Sequence, residues 1–252
     1  VCFFCYFKLL GCGRSLPYDI MKQVKNMFER LEILVGDKIE QLHQTTVLVI
    51  GLGGVGSYAV ESLVRSGIGH IILADHDIID ITNLNRQLAA LHTTIGKPKT
   101  QVWKDRIFDI NPKCEVTIIQ EFITKENIEQ FNQYSIDYIV DACDTIETKK
   151  EIIKYALSHN IQLISSMGTA QKLDPSKLQI TTLDKTSYDP LAKRLRKWMH
   201  DEGIKDKITV ISSTETPLPR TTNSLGSTAF VPSVAGLLCT SYIVQDIIGG
   251  EI

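Results

Sequence analysis

The chain has 252 residues with 43% hydrophobic content, enough for one large α/β domain with a sizeable core. Lys plus Arg total 27 against 29 Asp plus Glu, a formal charge of −2, so overall charge makes no case for nonspecific nucleic-acid binding and leaves only a local basic patch to consider. No stretch reaches the roughly 18 uninterrupted apolar residues of a membrane span, and six cysteines at 2, 5, 12, 114, 143 and 239 share no recurring spacing, which argues against a disulfide framework and suits a reducing, cytoplasmic compartment.

The first twenty residues, VCFFCYFKLLGCGRSLPYDI, are aromatic, Cys-rich and aperiodic. Residues 1–21 read as a non-native or flexible extension, with Met21 the natural start. A short targeting or membrane-associating segment is the alternative, although the early basic residues and full apolar core of a secretory signal are missing. Cys2-x-x-Cys5 has the spacing of half a zinc site, and no second pair follows.

Residues 22–44 read as helical, with Val24, Met27, Phe28, Leu31 and Leu34 at helix-like spacing. Thr46-Val-Leu-Val-Ile50 is a β-branched run that predicts a buried strand. A helix over Gly56 to Ser66 and a strand over His70 to Asp75 complete a βαβ unit, which implies a parallel sheet. The alternation continues with helix Lys97 to Asp109, strand Cys114 to Gln120, helix Ile123 to Gln133 and strand Ile136 to Val140. Helix Thr145 to Ser158 and strand Ile161 to Ser165 follow. Beyond Leu178 the strands shorten, a basic helix is expected near 189–201, a polar loop spans 212–228, and an apolar helix closes the chain. The predicted fold is a Rossmann-like, doubly wound, mostly parallel α/β sheet. Residues 22–170 form its nucleotide-binding region, and 171–252 a smaller substrate-binding and dimer-contacting part of the same domain.

Between the first predicted strand and helix, Gly51-Leu-Gly53-Gly54-Val-Gly56 satisfies G-x-G-x-x-G. Glycines there permit a tight turn and let backbone N–H groups approach a phosphate at a helix N-terminus. Asp75 ends the second strand, where an acid can accept hydrogen bonds from ribose hydroxyls. An NAD-binding dehydrogenase would use the same elements, so the residues that follow decide. They run Asp75-His-Asp77-Ile-Ile-Asp80-Ile-Thr-Asn83-Leu-Asn85-Arg86-Gln87, then Gly96-Lys97-Pro98-Lys99. An Arg grips phosphate oxygens bidentately and a Lys adds a point charge, which suits a triphosphate. Asp141-Ala-Cys143-Asp144 follows another strand, where carboxylates could hold Mg²⁺. Together these describe an ATP site.

The runs G-L-G-G-V-G-S, D-H-D, N-L-N-R-Q, G-K-P-K and D-A-C-D resemble the ubiquitin-activating-like adenylating superfamily, which includes the activators of molybdopterin and thiamine sulfur-carrier proteins. Within it the chain is most similar to the tRNA threonylcarbamoyladenosine dehydratase branch, through Phe28 to Gly36, Asp189 to Arg196 and Ser213-Thr-Glu215. The resemblance covers roughly residues 22–250. It implies that Gly51, Gly53, Gly54 and Gly56 line the phosphates, Asp75 lies at the ribose, Asn83 and Arg86 lie at the triphosphate, and Asp77 and Asn85 belong to the ATP-binding set. It also implies that Lys99 neutralises developing charge and that Asp144 holds Mg²⁺. Arg30 would enter the partner protomer's ATP site, which makes a homodimer the expected assembly. The implied reaction adenylates a carboxylate and closes a ring on modified tRNA with net loss of water. A monovalent cation and sulfur-relay proteins are further candidates for cofactor and partners.

Several assignments stay open on the residues alone. Lys97 and Lys99 are equal by composition. Asp77 and Asp80 are as well explained as cap or loop residues. Asp141 would hold the loop while Asp144 meets the metal. Cys143 is a conceivable nucleophile but reads better as a small buried hydrophobe. No cysteine lies between 143 and 239, so neither a thioester cysteine nor a paired zinc motif has a place after the ATP region. Lys193, Arg194, Arg196 and Lys197 sit on the predicted basic helix, either as a solvated face with Leu191, Leu195 and Trp198 turned inward or as tRNA phosphate contacts. The alternatives to the dehydratase are an activator of a sulfur-carrier C-terminus and the NAD-binding dehydrogenase.

Overall fold

Strand β1, Thr46–Ile50, is buried at Val47 through Ile50, because the sheet it belongs to is covered on both faces. Such strands read as continuous apolar runs, without the alternation of a half-exposed strand. The computed structural model describes residues 27–250. The 1–21 extension, its Cys2-x-x-Cys5 pair and the start of the leading helix lie outside the described residues.

The leading helix divides into α1, Glu29–Val35, and α2, Ile39–Gln44, with a 3-10 turn at Gly36–Lys38 between them. Gly36 sits at φ +56°, a conformation that stops the first segment. After β1 come α3 (Gly54–Arg65), β2 (His70–Ala74), α4 (Lys99–Ile110), β3 (Glu115–Ile119) and β4 (Tyr138–Asp141). Next are α5 (Ile146–His159), β5 (Gln162–Ser166), β6 (Leu178–Thr182), α6 (Pro190–Asp201), β7 (Thr209–Ser213) and α7 (Val231–Ile248).

The seven strands lie in the order β3-β2-β1-β4-β5-β7-β6, all parallel except β6, which runs antiparallel to β7. Successive side chains of a strand point to opposite faces. Accordingly Val47 and Val49 join a core with α3, α4 and α7, while Leu48 and Ile50 join one with α5 and α6. Chain connections leave β1 toward β2 on one side and reach β4 on the other. A crevice forms where that order reverses, at the carboxyl ends of β1 and β4.

The helix predicted over Ile123 to Gln133 is instead a loop followed by a 3-10 segment, Ile128–Gln133. Asn127 accepts the Thr124 backbone N–H at 2.8 Å and donates to the Phe122 carbonyl at 3.0 Å. These side chains compete for the backbone groups a helix would use. Helix α6 starts as its sequence suggests, with Pro190 at its first turn and Asp189 accepting the Ala192 N–H at 3.0 Å. By length and composition α7 could cross a membrane, but it is packed here. Thr240 donates to the Ala59 carbonyl at 3.0 Å, and a Cβ at Gly236 would stand 2.2 Å from the Val55 carbonyl oxygen.

Candidate active site

The crevice is a cleft of about 560 Å³. Its floor begins with the glycine turn. Gly51 has φ +90°, and a Cβ there would lie 2.8 Å from the Ala142 carbonyl oxygen, so this position admits only glycine. A Cβ at Gly56 would stand 1.8 Å from the Gly51 carbonyl oxygen, which makes Gly56 the close-approach point between turn and helix. Gly53 and Gly54 line the cleft, and Gly53 has only ordinary contact in prospect, 3.9 Å from Gln87 Nε2. No side chain caps the N-terminus of α3. Its first N–H groups and its dipole are thereby left for an anion.

Asp75 is buried at the end of β2, accepting from the Leu52 N–H at 2.6 Å and the Asp77 N–H at 2.7 Å. An ionised carboxylate has about four lone-pair sites, so acceptor capacity remains for a ribose. The segment after Asp77 makes an excursion and returns through Ile79 N–H to Lys97 O (2.9 Å) and Lys99 N–H to Asp77 O (3.1 Å). That closure brings Lys99, not Lys97, into the cleft. Lys99 is buried with Nζ 2.7 Å from Asp77 and 3.9 Å from Asp75, while Lys97 is exposed. Asp80 is a cap: it accepts the Thr82 N–H at 2.8 Å, and Asn83 accepts the Asp80 N–H at 3.1 Å. Asn83 is therefore buried for a structural reason while also lining the cleft. Asn85 faces across to the Ser227 carbonyl at 3.1 Å. Arg86 donates to the Thr82 carbonyl and to Asn85 Oδ1, both at 2.9 Å, and has no ion-pair partner among the described residues.

On the other side of the switch point, Asp141 is wholly buried and bound to Lys149 at 2.8 Å and to the Ser165 hydroxyl at 2.6 Å. It also accepts from the Cys143 N–H at 3.3 Å and from its Sγ at 3.0 Å. Asp141 thus holds the loop. Burial and the Asp141 charge outweigh the neighbouring Lys149 and push the Cys143 thiol well above its ordinary range, so it is held as the poorly nucleophilic thiol. Asp144 is exposed, lines the cleft and, among the described residues, has a hydrogen bond only from the Thr145 hydroxyl, at 3.4 Å. A hard, uncommitted carboxylate fits Mg²⁺ held jointly with phosphate oxygens.

The far wall comes from the second half of the chain: Met167 to Lys172, Asp189 to Leu191, and Pro217, Leu218, Arg220, Leu225 and Ser227. The cleft therefore joins both predicted regions. Sequence reasoning missed Lys149, Lys172, Gln171 and Arg220. Lys149 had a legible signal, since it falls on the inward stripe with Ile146, Ile153 and Ala156. Gln171 and Arg220 had none.

Arg30 is exposed on α1 and is not part of the cleft wall. On α6, Lys193, Arg194 and Lys197 are exposed. Arg196 differs from them: its guanidinium folds back onto the carbonyls of Thr186 (3.0 Å) and Leu183 (3.4 Å) and onto the Thr186 hydroxyl.

Residues 27–245 match the ThiF family. A tRNA threonylcarbamoyladenosine dehydratase of Bacillus subtilis is 45% identical over 241 residues, covering 88% of this chain and 95% of that protein. The crystal structure of the E. coli tRNA N6-threonylcarbamoyladenosine dehydratase in complex with AMP superposes with a TM-score of 0.85 at 32% identity, covering 93% of this chain and 98% of that one. The same enzyme in complex with ATP gives 0.84, again at 32% identity and the same coverage.

Proposed function

This chain belongs to the ThiF family, and we propose that it is an ATP-dependent dehydratase that adenylates the carboxylate of N6-threonylcarbamoyladenosine in tRNA and closes a ring on the same modified base. The observation that carries this is the convergence of an uncapped helix N-terminus, Arg86, Lys99 and Asp144 on one cleft, in a fold that its ATP-bound relative shares.

The chemistry proceeds in two displacements. A carboxylate oxygen of the acceptor attacks the α-phosphorus of ATP, and the bond to pyrophosphate breaks. A nitrogen or oxygen of the same side chain then attacks the acyl carbon, loses its proton, and expels AMP. The base loses the elements of water, and ATP becomes AMP and pyrophosphate. The glycine turn and the α3 N-terminus bind the phosphates, Asp75 the ribose, and Arg86 and Lys99 stabilise charge that grows in the transition state. Mg²⁺ at Asp144 would screen the triphosphate. No enzyme thioester enters this path, in keeping with the protonated Cys143.

Exposed Ile33 and Leu34 on α1, beside Arg30, support a homodimer in which Arg30 reaches the partner's cleft. Lys193, Arg194 and Lys197 supply the phosphate-binding face for tRNA, and Arg196 braces the segment 183–186 that leads into α6. The test is mass analysis of nucleosides from modified tRNA after incubation with protein, ATP and Mg²⁺. The dehydratase yields a nucleoside lighter by one water. An unchanged nucleoside beside ATP-driven adenylation of a sulfur-carrier C-terminus would replace it with the carrier-activating function.

A further inference from the structure

Among the described residues, four Arg or Lys side chains line the cleft: Arg86, Lys99, Lys172 and Arg220. Three already donate to protein acceptors. Arg86 donates to Thr82 and Asn85, Lys99 to Asp77, and Lys172 to the Gly168 carbonyl at 2.7 Å, with Asp189 at 3.6 Å. Arg220 has no protein partner among the described residues.

Arg220 lies on residues 214–230, a segment without helix or strand. Long loops of this kind wander unless something fixes them. Here Gln171 fixes the middle, and Glu215 and Asn85 fix the ends. Gln171 donates its backbone N–H to the Gly226 carbonyl at 2.9 Å and accepts the Leu218 N–H at 2.7 Å. Its amide donates to the carbonyls of Leu218 (3.3 Å) and Pro219 (3.2 Å) and accepts the Gly226 N–H. Gln171 does this from φ +61°, an uncommon conformation for a residue with a side chain. Glu215 anchors one end of the strap to the N–H groups of Leu173 and Asp174, and Asn85 the other end at Ser227. Arg220 directly follows the residues that Gln171 grips.

We propose that Arg220 binds the acceptor carboxylate and that Gln171 is a positioning residue that fixes it there; this rests on the dehydratase function argued above. The carboxylate must approach a triphosphate, so two anions have to be brought together. A guanidinium on the acceptor wall offsets that repulsion, and its planar fork matches a carboxylate. The phosphates already have the glycine turn, Arg86 and Lys99.

The experiment measures binding and turnover of two tRNAs that differ only in the target base, one bearing the threonylcarbamoyl acid and one unmodified adenosine. Wild-type protein should prefer the acid-bearing tRNA by roughly ten- to a hundredfold, the range for a hydrogen bond to a charged group. Arg220→Gln should bind both tRNAs alike, raise KM for the acid-bearing tRNA and leave KM for ATP unchanged. Arg220→Lys should recover part of the preference, and Gln171→Ala should lose it with Arg220 intact. Retained preference in Arg220→Gln would overturn the proposal. An equal loss of affinity for both tRNAs would assign Arg220 to a backbone phosphate instead. No turnover of acid-bearing tRNA by the wild type would remove the dehydratase function, and this assignment with it.

Discussion

The Lys149 ammonium lies 2.8 Å from the Asp141 carboxylate, and neither side chain is reached by solvent. Lys149 also donates to the Ser166 carbonyl at 2.9 Å and to the Ser165 hydroxyl at 3.2 Å. The pair ties β4, β5 and α5 together, with Asp141 three residues before Asp144 and Lys149 five after it. Lys149→Met should cost about 3–5 kcal/mol, because it strands a buried charge. Lys149→Met combined with Asp141→Asn should recover part of that loss, read from urea midpoints. Burial opposes the Lys149 charge, but Asp141 outweighs it and raises the lysine above its ordinary range. The contribution is therefore complete at neutral pH and is lost only as pH rises past the range of a free lysine.

Gly56→Ala and Gly53→Ala should separate folding from binding. The added methyl at 56 would collide with the Gly51 carbonyl, whereas at 53 the nearest atom is 3.9 Å away. Gly56→Ala should lower Tm sharply. Gly53→Ala should melt like the wild type and yet lose the stabilisation that ATP–Mg²⁺ confers, since a methyl would stand between the loop and the phosphates. NAD should stabilise neither.

Arg86→Ala and Asp144→Ala should each lower turnover by roughly 10²–10³, the scale of lost transition-state charge stabilisation. Neither side chain is buried in the core, so Tm should move little. Near-normal turnover in either variant would withdraw that residue's role.

The sheet was largely legible because buried parallel strands are continuous apolar runs. The boundaries of β1 and the capping of α6 by Asp189-Pro190 follow from the residues themselves. The helix over Ile123 to Gln133 failed because Thr124 and Asn127 capture the local backbone, which apolar spacing does not reveal. In the site, Gly51, Asp75 and Asp144 share the cleft because they lie just beyond the ends of β1, β2 and β4, and Arg86 joins them from the turn after the 3-10 segment Ile81–Asn83. Lys99 arrives by a closed excursion whose length, not composition, singles it out over Lys97. Arg220 and Gln171 were invisible, since their significance rests on hydrogen bonds across more than forty residues of chain.

Neutralising Arg194 and Lys197 together should weaken tRNA binding. It should also flatten the salt dependence, by roughly one unit of slope for each phosphate left without its cation. Arg196→Gln should instead reduce stability, because its guanidinium braces the Leu183 and Thr186 carbonyls. ATP binding should be unchanged in the double variant. Fluorescence titrations across a salt series read both effects.

The proposed reaction turns on attack of a carboxylate oxygen at the α-phosphorus. The direct measurement uses tRNA whose threonylcarbamoyl carboxylate carries oxygen-18, incubated with protein, ATP and Mg²⁺, with mass analysis of the released nucleotides. Attack at the α-phosphorus followed by ring closure breaks the bond between the acyl carbon and that oxygen, so the label leaves in AMP while pyrophosphate stays unlabelled. Unlabelled AMP, or ADP accompanied by labelled inorganic phosphate, would contradict carboxylate adenylation in this cleft.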